Sequence, residues 1–127
     1  MRAHLAQSAD GATGWLRAVV DPQIGGALGL MHEKPEERWT VEALASRAAM
    51  SRSAFAARFA HLVGEPPLTY LTRWRMQKAT RLLRSEHASL GEVASRVGYE
   101  TEAAFSKVFK RWTGVAPGTY RRAPSPP

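Results

Sequence analysis

The sequence predicts an all-α protein, and three observations support that class. Apolar side chains recur every three or four residues in several segments, as on the buried face of a helix. No segment alternates apolar and polar side chains as a half-buried strand does. Glycine and proline are concentrated between the periodic segments, where helices end. The length of 127 residues allows one globular domain or two very small ones.

The composition excludes several classes of protein. The chain contains no cysteine, so disulfides, thiolate metal sites and cysteine nucleophiles are excluded. The longest apolar run, residues 24–31, is far shorter than the roughly 20 residues of a membrane-spanning helix. Polar residues interrupt the N-terminal region, which lacks a signal peptide's apolar stretch. We therefore expect a cytoplasmic protein with no membrane partner.

The net charge of +7 is distributed unevenly along the chain. Residues 1–39 contain four basic and five acidic side chains, whereas residues 40–127 contain fourteen basic and six acidic ones. Such a basic segment indicates a polyanionic partner, most often nucleic acid. Charge alone leaves open a soluble protein whose composition is simply rich in arginine and alanine.

The first helix is predicted to follow a flexible lead-in over residues 1–20. Asp21 and Pro22 are typical of a helix start, with aspartate as the cap and proline in the first turn. Apolar residues then recur at helical spacing until Pro35 ends the segment.

From Thr40 onward the chain repeats itself. Residues 40–47 match residues 89–96 at an offset of 49, and the offset becomes 50 after one extra residue near Glu100. The later matched pairs are Phe55 and Phe105, Phe59 and Phe109, Gly64 and Gly114, Pro67 and Pro117, and Tyr70 and Tyr120. Two copies indicate one supersecondary unit used twice, since a solenoid needs at least about three repeats.

Each copy predicts the same pair of helices. A cap at Thr40 or Ser89 precedes a short helix, and a turn leads to a second helix that ends at Gly64 or Gly114. Two short helices joined by a tight turn form a helix-turn-helix. Between the copies, residues 68–84 predict a helix about 25 Å long, enough to hold two recognition helices roughly one DNA turn, about 34 Å, apart.

These features resemble the DNA-binding domain of the AraC/XylS family of bacterial transcription regulators. The resemblance covers about residues 22–122, and its most specific positions are Gly98, Tyr99, Phe105, Phe109, Gly114, Pro117 and Tyr120. It implies a homeodomain-like, all-α domain of about seven helices, with two helix-turn-helix subdomains joined by a long linker helix. One recognition helix from each subdomain would enter successive major grooves of DNA.

The resemblance also implies a domain organisation and a set of binding partners. The chain resembles either a stand-alone regulator or the C-terminal piece of a longer one, in which case the lead-in at 1–20 is a remnant of a linker to an absent domain. We expect subdomains at 21–66 and 87–122, a linker helix at 67–86 and a disordered tail at 123–127. Many family members have an N-terminal effector-binding or dimerisation domain, so an effector would act only through that absent domain. The expected partners of a monomeric isolated chain are double-stranded DNA and RNA polymerase, in the bacterial nucleoid.

The first recognition helix has a polar face that is poor in long side chains. The buried phenylalanines leave a set of four candidate base-reading residues facing outward, namely Arg52, Ser53, Ala56 and Ala57. Arg52 can bind guanine through two hydrogen bonds or hold a phosphate, whereas the alanines offer only methyl groups. Many family members have arginine at the position of Ala57. Arg58 is expected to reach a phosphate.

The second recognition helix is richer in charge. Its candidate base-reading residues are Glu102, Ala103, Ser106 and Lys107, and its candidate backbone contacts are Thr101, Lys110 and Arg111. Glu102 can accept a hydrogen bond from cytosine or can act as a favourable charge at the helix start. The linker helix adds five cations, namely Arg73, Arg75, Lys78, Arg81 and Arg84. The run as a whole is expected to be a solvated face, and Arg73 is a candidate phosphate contact.

The sequence offers no catalytic site, metal site or cofactor. The four histidines lack metal-ligand spacing, and no glycine-rich phosphate loop is present. The leading hypothesis is a sequence-specific DNA-binding transcription regulator. Two alternatives stay open, namely an architectural DNA binder of low specificity, favoured by the alanine-rich first helix, and a protein-interaction module.

Overall fold

The computed structural model describes residues 14–85 and 87–123, which form helices joined by short turns without any strand. Seven helices follow one another between residues 22 and 122: α1 (Pro22–Glu33), α2 (Val41–Arg47), α3 (Arg52–Val63), α4 (Pro67–Ser85), α5 (Leu90–Arg96), α6 (Glu102–Thr113) and α7 (Pro117–Arg122). The all-α prediction is confirmed. None of the described helices is long and apolar enough to span a bilayer.

The lead-in prediction is wrong for residues 14–20, which are helical. Ala18 is fully buried, and the Trp15 ring stacks on His32 and Tyr70 at centroid distances of 6.1 and 6.2 Å. These contacts join residues that are far apart in the sequence. The segment therefore has no local amphipathic pattern from which a helix could be predicted. The predicted lead-in over residues 1–13 and the predicted tail over residues 124–127 lie outside the described residues.

The described residues form two compact units. The first contains residues 14–34 and 39–71, and the second contains residues 35–38, 72–85 and 87–123. α4 is divided between them, because Leu71 belongs to the first core and Met76 to the second. The sequence treats this helix as a linker outside both subdomains, whereas its apolar residues complete both cores.

The repeat appears in the structure as two helix pairs of equal length. α2 and α5 each have 7 residues, and α3 and α6 each have 12. The turn inside each pair needs a residue with positive φ, which is Ala49 at 57° in the first copy and Gly98 at 99° in the second. Alanine is strained in this conformation and glycine is not.

Arg75 fixes residues 35–38 against the second unit. Its Nε donates to the Pro35 carbonyl at 2.9 Å, and its Nη2 donates to the Glu37 carbonyl at 2.8 Å. The guanidinium also lies 5.6 Å from the Tyr99 ring centroid. Burial lowers the pKa of Arg75 from its usual value. This arginine is therefore structural, and the prediction that the whole arginine run of α4 is a solvated face is wrong at this position.

Candidate nucleic-acid interface

The recognition helix of the first unit, α3, is held by capping groups at both ends. The Ser51 hydroxyl accepts a hydrogen bond from the Ala54 amide at 3.2 Å, and Gly64 ends the helix in a left-handed conformation with φ of 97°. Phe55 and Phe59 are fully buried with ring centroids 5.8 Å apart. Their burial fixes the rotation of the helix, so the opposite side of α3 faces solvent.

The recognition helix of the second unit, α6, repeats this arrangement. The Thr101 hydroxyl accepts from the Ala104 amide at 3.0 Å, and Gly114 ends the helix with φ of 88°. Phe105 and Phe109 are fully buried with centroids 5.5 Å apart, and Tyr120 packs edge-on against Phe109. The predicted terminal glycines and buried aromatic pairs are thus present in both units.

Most of the predicted base-reading residues lie on the solvent-facing sides of these helices. Arg52, Ser53 and Ala57 are exposed on α3, and Ala56 is half-buried. The equivalent pattern on α6 exposes Glu102, Ala103 and Lys107 and leaves Ser106 half-buried. Thr101, Lys110 and Arg111, predicted as backbone contacts, are exposed as well. The candidates on α6 therefore include several long charged side chains, whereas Arg52 is the one charged residue among the base-reading candidates on α3.

Arg52 has an intramolecular partner that the sequence analysis missed. Its Nε lies 3.0 Å from Oε2 of Glu42, the second residue of α2. Both side chains are about two-thirds exposed, at 64% and 67%. A tight turn between two helices brings such positions together, so opposite charges at these two positions were a usable signal.

Arg58, predicted to reach a phosphate, contacts Asp21 within the first unit. Its Nε donates to Oδ2 of Asp21 at 3.0 Å, and its Nη2 contacts the same oxygen. The Asp21 side chain is only 7% exposed and also caps α1 by accepting from the Gln23 and Ile24 amides. The hydrogen bond from Arg58, followed by that from Ile24, lowers the pKa of Asp21. Arg58 therefore stabilises the first unit, a role that the sequence did not predict.

Arg73, the backbone candidate from α4, lies over an aromatic ring. Its guanidinium is 5.4 Å from the ring centroid of Trp112, which is 37% exposed near the end of α6. The arginine is exposed, as a phosphate contact requires. Trp112 lies partly at the surface, and its ring packs against this arginine.

The excess positive charge belongs entirely to the second half of the sequence. Residues 1–71 contain seven basic and seven acidic side chains, whereas residues 72–127 contain eleven basic and four acidic ones. Arginines pair with carboxylates in both units: Arg52 and Arg58 with Glu42 and Asp21 in the first, and Arg38 with Glu100 in the second. The second unit therefore has the stronger electrostatic attraction for a polyanion.

Two tandem units of this geometry define a helix-turn-helix protein, and comparison with known proteins gives the family. A family model described as a helix-turn-helix domain matches residues 44–123. A relative from Streptomyces antibioticus, named as an AraC-like transcription regulator, is 48% identical over 126 residues, which are 99% of this chain and 42% of the relative. The transcriptional regulator AlkR of Acinetobacter baylyi is 42% identical over 122 residues, 96% of this chain and 40% of that protein.

A solved structure shows the same fold. The DNA-binding domain of AdpA, a global transcriptional factor crystallised in complex with a target DNA, matches with a TM-score of 0.75 at 39% identity. The match covers 80% of this chain and 90% of that domain. The chain belongs to the AraC-type helix-turn-helix family. It spans about two fifths of the length of the curated relatives that it matches.

Proposed function

We propose that the chain is a sequence-specific DNA-binding unit of a transcription regulator, in which α3 and α6 both enter major grooves. The observation that carries the proposal is the pair of capped helices whose buried phenylalanines turn two different sets of polar side chains to solvent. Two different sets allow two different blocks of base pairs to be recognised. Membership of a family whose relatives are named transcription regulators supports the same function.

Positioning and discrimination are divided among different side chains in this mechanism. Thr101, Lys110 and Arg111 bind phosphates and fix the register of α6, and Arg73 adds a contact from α4. The base-reading residues of α6 are Glu102, Ala103, Ser106 and Lys107. Those of α3 are Arg52, Ser53, Ala56 and Ala57, of which only Arg52 can form two hydrogen bonds to one guanine.

An architectural binder of low specificity is the second candidate, and the exposed alanines of α3 favour it. Such a protein would bind all duplexes with a steep salt dependence, because its contacts would be to phosphates. A protein-interaction module would instead have no affinity for duplex DNA at low salt. An enzyme has little support, because the relatives are named as transcription regulators and the matching solved structure is a DNA-binding domain.

Family membership supports inferences about the location, oligomeric state and protein partner of the chain. We infer that the chain works in the bacterial cytoplasm at the nucleoid, that the isolated chain binds as a monomer, and that bound protein helps or hinders RNA polymerase. An effector would act through a domain outside this sequence. Size-exclusion chromatography with light scattering tests the monomer directly.

Selection from a random duplex pool at about 0.15 M salt tests the function. We expect enrichment of two blocks of base pairs within a site of about twenty base pairs. Enrichment of only one block would indicate that one of the two units binds DNA without base preference. Binding without enrichment would favour the architectural candidate, and no binding at low salt would favour the protein-interaction module.

A further inference from the structure

We propose that Glu42 is a positioning residue for Arg52, holding its guanidinium in the orientation that reads a guanine. This inference rests on the proposed function of α3. Glu42 is the second residue of α2, before the turn, and Arg52 is the first residue of α3, directly after it. The 3.0 Å contact joins the Arg52 Nε to the carboxylate, at the stem side of the guanidinium.

A contact at Nε leaves the two terminal nitrogens of the guanidinium, Nη1 and Nη2, available to bind DNA. Arginine reads guanine most specifically through two parallel hydrogen bonds to O6 and N7, and the terminal Nη1 and Nη2 groups can supply both. A free arginine side chain loses rotamer entropy when it is fixed against a base. A carboxylate that already restrains the side chain in the unbound protein reduces this loss, so the guanine contact is stronger.

The stability of the fold does not account for the pair. Both side chains are mostly exposed, and exposed ion pairs add little to folding stability because water screens them. Arg52 is the first residue of a recognition helix and Glu42 contacts it there, where contact with DNA would displace water. An ion pair strengthens when water is removed from it, so this contact gains importance in the complex.

The second unit provides an internal comparison for this geometry. The positions that match Glu42 and Arg52 are Gly91 and Glu102. A Cβ atom placed at Gly91 would lie 3.9 Å from Oε1 of Glu102. The first residue of each recognition helix therefore reaches the second residue of the preceding helix, but only the first unit has opposite charges there. The pairing is a property of these residues rather than of the helix-turn-helix fold.

A simple electrostatic alternative predicts the opposite result. If Glu42 acts only by repelling phosphates, its removal strengthens binding to every sequence alike and leaves base preference unchanged. If it positions Arg52, its removal weakens preference at one base pair. Glu42→Gln separates the two, since it removes the charge while keeping the shape of the side chain.

The experiment measures the affinity of the full chain for a selected site and for all of its single base-pair substitutions. We expect Arg52→Lys, which lacks the fork, to lower guanine preference at one base pair by about 5- to 100-fold. We expect Glu42→Gln to lower preference at that same base pair by about three- to tenfold, without change elsewhere. Glu33→Gln, which removes an exposed carboxylate at the end of α1, is the matched control and should leave the profile unchanged.

Two outcomes would overturn the inference while the proposed function stands. One is a Glu42→Gln variant that retains the preference of the wild type, with or without a uniform gain in affinity. The other is an Arg52→Lys variant with full guanine preference. A wild-type chain without preference at any base pair would instead contradict the proposed function itself. Thermal unfolding of each variant, expected to match the wild type, confirms that the fold is intact.

Discussion

At the scale of single residues, the exposed side of α6 contains two kinds of cation. Lys107 lies at mid-helix among the predicted base-reading residues, whereas Lys110 lies in the last turn. The position of a cation decides whether it meets base edges or the phosphate backbone. These two lysines therefore have different expected effects on affinity and on specificity.

Lys107→Ala should relax preference in one block of the site at a loss of about 1–3 kcal/mol for the best sequence. Lys110→Ala should weaken binding to all sequences by similar factors, because a phosphate contact carries no sequence information. Affinities of both variants across a panel of duplexes check this pair. A uniform loss for both would show that the assignment of base-reading and positioning roles is wrong.

His32 gives the first unit a predictable dependence on pH. Its Nε2 lies 2.6 Å from the Tyr70 hydroxyl, and burial lowers the pKa of His32 below its ordinary value of 6.5. Protonation is thus harder in the folded state, so the stability that this group contributes is complete above pH 6.5 and declines as the pH falls.

His32→Gln should flatten the fall in unfolding free energy between about pH 6.5 and pH 5, since it removes the titrating group. His61→Gln, at an exposed position in the last turn of α3, is the matched control. Urea unfolding at several pH values measures the slope. An unchanged slope in His32→Gln would contradict the assignment.

Several of these residues could be predicted from the sequence and others could not. The caps Thr40 and Ser89 and the terminal glycines have local signatures, because each acts within three or four residues of its own position. The contact of Arg58 with Asp21 joins residues 37 positions apart, and no local pattern marks it. Arg52 was found as a candidate while its partner Glu42 was missed, because the base-reading candidates were taken from the recognition helices and Glu42 lies on the helix before α3.

At the scale of helices, the tight turn between the paired helices places one residue in a left-handed backbone conformation. Gly98 is in a left-handed conformation, and a Cβ atom there would lie 2.6 Å from the Pro35 carbonyl oxygen and 2.9 Å from Arg75. Ala49 has a similar conformation but is exposed. The same backbone turn therefore requires glycine in one unit and tolerates alanine in the other.

Gly98→Ala should destabilise the protein by about 3 kcal/mol, because backbone strain and a steric clash act together. Ala49→Gly should change stability by less than about 1 kcal/mol, since relief of strain offsets the entropy of glycine. Chemical denaturation of the two variants gives both values. A Gly98→Ala variant as stable as wild type would show that the turn is not constrained in this way.

The helical segment at residues 14–20 and the division of α4 mark where helix-scale prediction failed. The bounds of α4 were predicted to within a residue at each end, because Leu71, Leu82 and Leu83 recur at helical spacing. Its division between two cores follows from which residues pack together, and that depends on tertiary contacts. Ala18 is buried by such contacts as well, and a single small apolar side chain does not predict a helix.

At the scale of the whole chain, the uneven charge predicts an uneven electrostatic contribution to DNA affinity. Residues 72–127 supply all of the positive excess. Each phosphate contact releases counterions and adds about 0.9 to the slope of log affinity against log salt. Most of this slope should therefore come from the second unit.

Replacing Lys110 and Arg111 together by glutamine should lower the salt slope of the full chain by about two. The matched control replaces Arg17 and Arg47, two exposed arginines of the first unit, and should lower it by less than about one. Titrations at four or five salt concentrations measure both slopes. Equal reductions would contradict the unequal contribution of the two units.

Chemical interference at guanine N7 shows whether α3 and α6 both read bases in the major groove. A selected duplex is methylated sparingly at guanine N7, bound by the full chain and separated into bound and free fractions. If both helices read bases, methylation at two separate groups of guanines excludes the duplex from the bound fraction. Interference in a single group, or binding that ignores N7 methylation throughout the site, would contradict it.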